Sequence, residues 1–290
     1  MKRIFYKALG LMMWTVSLLP FWAIYIISDT LYFILYYIVR YRRKVVAENL
    51  DIAFPKKTDG EKKKIARAFY HYLADMICET IKLSSISAKS VVKRFHLNNP
   101  ELISNYLDEG RPVIGLTAHY GNWEMALHRL SILAGKHPAL VIYRPLSNTY
   151  FEEIFNAIRS RFGAQLVPMK QTLRKILSYK DRPHISMFVS DQTPTRNESK
   201  YFASFFNHPT LVFLGAEKIA RKTNFPVIYC HMDKRKRGYY ECTFEILFDQ
   251  PALTVDHEIT SRHLHLLETT IRHRPELWLW SHRRWKHHPQ

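Results

Sequence analysis

VIGLTAHYGNWE, residues 113–124, takes the chain from a short apolar run through a polar turn into the start of a helical pattern. Three more apolar runs of strand length follow: ALVIY at 139–143, HISMFVS at 184–190 and PVIYCHM at 226–232. Helical patterns lie between these runs, at 122–135, 148–162, 170–179 and 211–223. Continuous apolar runs that alternate with helices are typical of a buried sheet, so the sequence predicts an α/β fold with a mostly parallel central sheet covered by helices.

The flanking segments extend this architecture. Residues 60–83 carry apolar side chains at helical spacing and predict an amphipathic helix. Residues 239–248 have a strand pattern after the basic turn 234–238, which predicts a hairpin, and residues 255–273 predict a last helix. No repeat, low-complexity tract or linker in the sequence indicates a second soluble domain.

The N-terminus is strongly apolar. Residues 8–28 contain no charge over 21 residues, and a helix of that length covers about 31 Å, the thickness of a bilayer core. A second apolar run, 30–39, leads into the basic segment 40–44. A cleaved signal peptide, a transmembrane helix and a hydrophobic hairpin in one leaflet all fit, although no cleavage site is evident and Pro20 would kink a helix. We expect a membrane-anchor helix and basic flank at 1–44 and one folded domain at 45–290.

The composition of the 290 residues limits the possible functions. Hydrophobic residues make up 47%, which excludes wholesale disorder, and a net charge of +18 predicts anionic partners. The nine glycines form neither a G-x-G-x-x-G nor a P-loop pattern, which argues against a glycine-cradled nucleotide. The three cysteines lack C-x-x-C spacing, so we expect neither disulfides nor a metal site, and a reducing, cytosol-facing compartment fits best.

The first candidate site follows the first apolar run. Ligands of open α/β sheets bind beyond the carboxyl ends of the strands, and His119 and Glu124 lie there across a turn at Gly121. A general base beside a carboxylate that fixes its tautomer is the arrangement that acid/base catalysis needs, and Gly121 would let Glu124 reach back. A surface turn with an incidental histidine is the alternative.

A second candidate site follows the strand at 184–190. Asp191 could orient a base, hold a cation or cap the following turn. Arg144, Arg159 and Arg161 could hold a phosphate or form a solvated basic face. No G-x-S-x-G motif is present, which disfavours a covalent acyl-enzyme and favours direct attack by a hydroxyl that His119 deprotonates.

Five segments together resemble one protein family. They are RKVVAENLDIAFP at 43–55, the H-x-x-x-x-E pattern at 119–124, VIYRP at 141–145, Asp191-Gln192, and RPELWLWSHRRWK at 274–286. In this order they resemble the bacterial late lipid A biosynthesis (lauroyl/myristoyl) acyltransferases, a branch of the glycerolipid acyltransferase superfamily. The four residues inside H-x-x-x-x-E are similar to those of branches distant from the enterobacterial enzymes.

The resemblance implies transfer of a fatty acyl chain from an acyl carrier protein thioester to a hydroxyl of a lipid A precursor, at the cytoplasmic face of the inner membrane. Residues 45–290 would be the acyltransferase domain. His119 would be the general base with Glu124 as its partner, and Arg159 and Asp191 would be further catalytic residues. The substrate-binding residues would be Asn122, Arg144, Gln192, Phe205 and Phe206. No cofactor is implied, since acyl carrier protein or coenzyme A carries the co-substrate.

Other functions stay open at the level of sequence. A lysophospholipid or aminolipid acyltransferase, with either acyl donor, would use the same residues, and a lipid hydrolase would replace the acceptor by water. A membrane-tethered nucleic-acid-binding protein is the alternative from another class. We expect no nucleic acid, because the Lys and Arg residues are scattered and form no recognised motif. The expected partners are acyl carrier protein, a lipid acceptor and the membrane surface.

Overall fold

A computed structural model describes residues 2–289. These residues contain nine strands: β1 (Phe95–Leu97), β2 (Val113–Thr117), β3 (Ala139–Tyr143), β4 (Ala164–Pro168), β5 (Ile185–Val189), β6 (Phe202–Phe205), β7 (His208–Leu211), β8 (Val227–Lys236) and β9 (Tyr239–Phe248). Seven of them form one sheet in the order β1-β9-β8-β2-β5-β3-β4, while β6 and β7 form a separate hairpin. Within the large sheet only β8 and β9 pair antiparallel, so the predicted mostly parallel α/β fold is confirmed.

In the described part of the chain, eleven α-helices precede the sheet or cover it: α1 (Lys2–Leu18), α2 (Phe21–Phe33), α3 (Arg43–Ala53), α4 (Asp59–Lys82), α5 (Ala88–Arg94), α6 (Glu101–Asp108), α7 (Trp123–Ala134), α8 (Thr149–Arg159), α9 (Thr172–Leu177), α10 (Gly215–Thr223) and α11 (Glu258–His273). A π-helical turn over Ile34–Ile38 extends α2. Helix α4 begins at a capping box in which Thr58 and Glu61 satisfy each other's backbone N–H groups.

Strand β2 lies at the centre of the core. All five of its residues are buried, which explains why its sequence is continuously apolar rather than alternating. Ile114 and Leu116 pack with Leu140 on one face of the sheet, while Val113 belongs to the larger cluster on the other face. The central position of β2 puts the turn after it at the middle of the sheet's carboxyl edge.

The apolar N-terminus forms two helices. Pro20 interrupts the uncharged stretch at residues 8–28, as its position predicts, since α1 ends at Leu18 and α2 begins at Phe21. Proline has no N–H to donate to the preceding turn, and its fixed φ suits the start of a helix. The segment that is long and apolar enough to cross a membrane is instead Phe21–Ile38. The structure therefore has one apolar N-terminal helix that is a candidate for the predicted membrane anchor.

Candidate active site

The turn after β2 is held tightly by its neighbours. Gly121 has a φ of +59°, a conformation that glycine adopts without strain, and its carbonyl accepts a 2.6 Å hydrogen bond from the Tyr72 hydroxyl. Asn122 caps α7 by accepting from the Met125 N–H at 2.8 Å, and its amide donates to Glu79 at 2.6 Å. These bonds fix the position of the backbone that carries His119.

His119 is paired with Asp191, and the strand register explains why. In the parallel pair of β2 and β5, Thr117 lies opposite Val189, so the residues two positions further along each strand come side by side. His119 Nδ1 and Asp191 Oδ1 are 2.6 Å apart. The second oxygen of Asp191 accepts from the Trp278 indole N–H at 2.8 Å.

The charge of Asp191 determines the tautomer of His119. Burial alone would raise the pKa of Asp191, but the charge and hydrogen bond of His119 and the Trp278 N–H outweigh burial and lower it. An ionised carboxylate can only accept hydrogen bonds, so His119 Nδ1 carries the proton that it donates to Asp191. In the neutral imidazole Nε2 then carries the lone pair, and this atom lies 3.2 Å from the Gln192 amide nitrogen. This is the form of histidine that acts as a general base.

The expectation that Glu124 orients His119 is wrong. Glu124 lies in the first turn of α7, where Arg159 from the end of α8 binds both of its oxygens and the Trp123 indole N–H donates to one of them at 3.2 Å. Burial would raise the pKa of Glu124, but the bonds and charge of Arg159 lower it. The buried Glu124 and the partly exposed Arg159 therefore form an ion pair beside the histidine, and Asp191 holds the imidazole.

A cavity of about 870 Å³ opens beside these pairs. Five of the expected site residues line it: His119, Glu124, Arg144, Arg159 and Gln192. Its other walls are mainly apolar, with Leu127, Val141 and Phe188 among them. Such a cavity can hold a hydrophobic chain next to the Nε2 atom of the histidine.

Four of the expected residues lie elsewhere. Asp191 and Asn122 are buried behind the cavity wall, where they position the histidine and its turn. Phe205 is also fully buried, packed against Trp278 and Trp285, so the expectation that it lines a substrate groove is wrong. Phe206 lines a separate cavity of about 590 Å³.

Some residues that fix the site from outside carry no signal of their own in the sequence. Trp278, which donates to Asp191, stands out only as part of the C-terminal segment that carries the family resemblance. Asn49 on α3 donates to the carbonyls of Trp280 and His282, both at 2.7 Å, and so fixes that segment. Among residues 2–289, no group of three or more His, Cys, Asp or Glu could hold a metal ion.

Comparisons with known proteins show which family the chain is similar to. The model of the family described as bacterial lipid A biosynthesis acyltransferase matches residues 1–287. The lipid A biosynthesis palmitoleoyltransferase of Escherichia coli (strain K12) is 21% identical over 249 residues, which cover 86% of this chain and 80% of the relative. The lipid A biosynthesis lauroyltransferase of the same organism is 20% identical over 288 residues, covering 96% and 90%. A lipid A biosynthesis acyltransferase of Shigella flexneri is 21% identical over 249 residues, with 86% and 80% covered.

Proposed function

Since the chain belongs to the bacterial lipid A biosynthesis acyltransferases and is an O-acyltransferase, we propose that it transfers a fatty acyl chain from an acyl carrier protein thioester to a hydroxyl of a lipid A precursor. One observation carries the proposal more than any other. His119, which a buried carboxylate holds in place, lines a cavity of about 870 Å³ with largely apolar walls. Such a site can bring a hydroxyl and a fatty acyl thioester together at a base.

The proposed reaction is direct transfer. His119 Nε2 takes the proton of the acceptor hydroxyl as its oxygen bonds to the thioester carbonyl carbon. The carbon–sulfur bond then breaks, and the proton passes from Nε2 to the departing sulfur, which leaves an ester and a free thiol. Asp191 stabilises the imidazolium that forms between the two proton transfers. A positioned general base contributes on the order of 10² to 10⁴ in rate.

Two side chains are placed to stabilise charge on the thioester oxygen. Gln192 has its amide nitrogen 3.2 Å from His119 Nε2, and an incoming hydroxyl would release that amide. Arg159 lines the same cavity and is held in place by Glu124. We assign both the role of donors to the developing oxyanion, for which Arg159 supplies a fixed positive charge.

The charge of the chain supports anionic substrates. The net charge is +18, and Lys170, Lys218 and Arg144 all line the cavity. Acyl carrier protein is acidic and a lipid A precursor carries phosphates, so these side chains would attract the donor and the acceptor. The apolar segment Phe21–Ile38 supports attachment at the inner membrane, and we propose that the acyltransferase domain faces the cytoplasm.

Mass spectrometry of the reaction products tests the proposal. With an acyl carrier protein thioester and a lipid A precursor, the wild-type protein should produce the acylated lipid, and His119→Ala should not. His231→Ala is the matched control, because His231 also pairs with a carboxylate, at 2.7 Å from Glu245, but does not line the cavity. Wild-type turnover by His119→Ala would refute the mechanism. Free fatty acid as the product would indicate a hydrolase, and a preference for acyl coenzyme A would refute the proposed donor.

A further inference from the structure

Helix α2 packs along α4 rather than standing apart from the domain. Three side-chain contacts join the two helices: Tyr32 with His71, Ser28 with Asp75, and Tyr25 with Glu79. The rings of the first pair are stacked with centroids 3.5 Å apart, and the two hydrogen bonds measure 2.7 and 3.0 Å. The residue numbers rise on one helix as they fall on the other, so the helices run antiparallel over about two turns of shared contact.

The tip of the β8–β9 hairpin also binds α2. Arg237 donates to Asp75 at 2.7 and 2.9 Å and to Asp29 on α2 at 2.5 Å. Gly238 beside it has a φ of +73°, and a Cβ atom at this position would collide with the Tyr25 hydroxyl. The close approach of hairpin and helix therefore requires glycine at this position.

These contacts are incompatible with α2 as a transmembrane helix. The apolar segment Phe21–Ile38 has 18 residues and would cover about 27 Å, which leaves Asp29 near the bilayer centre. Because Asp29 is paired with Arg237 and α2 is bonded to α4, spanning would carry the hairpin tip and the charged residues of α4 into the hydrocarbon as well. Charged groups at that depth are costly, so α2 cannot span in its docked position.

The faces of α1 and α2 that point away from the folded domain are apolar and exposed. The side chains that face outward include Phe5, Leu11, Trp14, Trp22, Phe33 and Ile38, which are between 48% and 69% exposed. Basic residues follow at 40–44. An apolar face with tryptophan, flanked by positive charge, is typical of helices that lie in the plane of the membrane interface.

Helix α1 is in contact with a segment that borders the cavity. Tyr6 stacks on Tyr150 of α8 with ring centroids 4.9 Å apart, and its hydroxyl accepts from the Asn148 amide at 2.6 Å. Asn148 directly follows Leu146 and Ser147, which line the cavity. Lipid in contact with α1 would therefore lie close to this wall of the cavity.

We infer that α1 and α2 form a monotopic anchor, which occupies a single leaflet and opens the cavity toward the lipids of that leaflet. The partner of this surface is a phospholipid leaflet. That the acceptor lipid reaches the cavity from this leaflet rests on the proposed function. That α1 and α2 lie in one leaflet does not depend on it.

Cysteine labelling in sealed vesicles tests the topology without any assay of activity. The native cysteines, Cys78, Cys230 and Cys242, are buried, so a membrane-impermeant maleimide reports on one introduced cysteine. Lys7→Cys should react in inverted inner-membrane vesicles and should not react in right-side-out vesicles. Lys136→Cys, in the folded domain, should show the same two results. Reaction of the two on opposite sides would show that α2 spans. Reaction of Lys7→Cys only after detergent, or recovery of the protein without membranes, would equally contradict the inference.

A charge on the apolar face tests the contact with lipid. Leu11→Lys should lower the vesicle-bound fraction of the purified full chain about tenfold, with vesicles of phosphatidylethanolamine and phosphatidylglycerol. Leu253→Lys is the matched control, since Leu253 is 78% exposed and distant in sequence from the anchor, and it should bind like the wild type. Leu11→Lys should also lose turnover of vesicle-embedded acceptor while keeping turnover of detergent-dispersed acceptor. Unchanged binding would overturn the inference. Absence of turnover in the wild type would contradict only the proposed function.

Discussion

Asp191→Asn gives the sharpest test of how the site controls its base. Trp278 Nε1–H can only donate, so the buried asparagine must turn its oxygen toward Trp278 and its NH₂ group toward His119. Nδ1 of His119 must then accept a hydrogen bond, which moves the ring proton to Nε2 and removes the lone pair that would take the hydroxyl proton. We expect kcat to fall by about 10² to 10⁴, the contribution of a general base. KM should change little, because Asp191 does not line the cavity.

The same reasoning predicts a partial rescue. In the alternative amide orientation the asparagine oxygen faces His119, but the NH₂ group faces the Trp278 donor, and a buried unsatisfied donor costs about 1–3 kcal/mol. Trp278→Phe removes that donor, so the double variant Asp191→Asn/Trp278→Phe should be more active than Asp191→Asn. The cost of about 1–3 kcal/mol corresponds to a factor of about 5 to 150, which is the largest recovery of kcat that the second substitution can give.

Steady-state kinetics of the four proteins in this cycle checks the prediction, with product mass confirmed and melting temperature measured to exclude misfolding. Glu245→Gln is the matched control, since Glu245 accepts from His231 at 2.7 Å in a pair that does not line the cavity, and its activity should be unchanged. A double variant no more active than Asp191→Asn would refute the tautomer argument. Near wild-type activity of Asp191→Asn would refute the role of Asp191 altogether.

Further predictions follow from the other contacts. Arg159→Ala leaves the buried Glu124 without its ion-pair partner and should lower the free energy of unfolding by about 3–5 kcal/mol. The double variant Arg159→Ala/Glu124→Ala should lower it by less than the sum of the two single changes. Denaturant unfolding in detergent measures these values, and strictly additive effects would contradict the ion pair. Lys170→Glu/Lys218→Glu should raise KM for acyl carrier protein about tenfold at low salt and less at high salt, and a salt-independent KM would exclude electrostatic docking. Phe205→Ala should lower the free energy of unfolding by about 3–5 kcal/mol without changing the acyl-chain preference, which competition between donors measures. A changed preference would indicate that Phe205 contacts the substrate after all. Folding lowers the pKa of Asp191, so its carboxylate stabilises the folded protein fully only above its pKa in the unfolded chain, near 3.9. This stabilisation is lost as the pH falls below that value. The difference in the free energy of unfolding between wild type and Asp191→Asn should therefore narrow below about pH 4.

The sequence predicts the central strands of the sheet well because they are largely buried on both faces. The apolar runs at 113–117 and 139–143 coincide with β2 and β3, since central strands of a parallel sheet carry no polar face that would obscure their ends. The sequence does not predict strands β1, β4, β6 and β7. Of these, β4 lies at the edge of the large sheet and is only partly buried, so its pattern is weaker.

The pairing of His119 could not be read from local spacing. Glu124 is near His119 in sequence, but as a first-turn residue of α7 its side chain extends toward α8 and meets Arg159. Asp191 is 72 residues away, and its contact depends on β5 being the neighbour of β2. The sequence predicts that both strand ends lie at the carboxyl edge of the sheet, but the order of strands is decided by how the helices between them pack.

Three of the segments that carry the family resemblance, 119–124, 191–192 and 274–286, meet at a single buried carboxylate, and the segment 43–55 is bonded to the last of them. An ionised Asp191 can be buried only if its oxygens are satisfied, and Trp278 supplies one of the two donors. The course of the chain at Trp278 is fixed in turn by its backbone pairing with Tyr120, next to the histidine, and by the bonds of Asn49 to the following residues. Asn49 on α3 is thus connected to His119 through the C-terminal segment, and we propose that it positions the base without touching substrate.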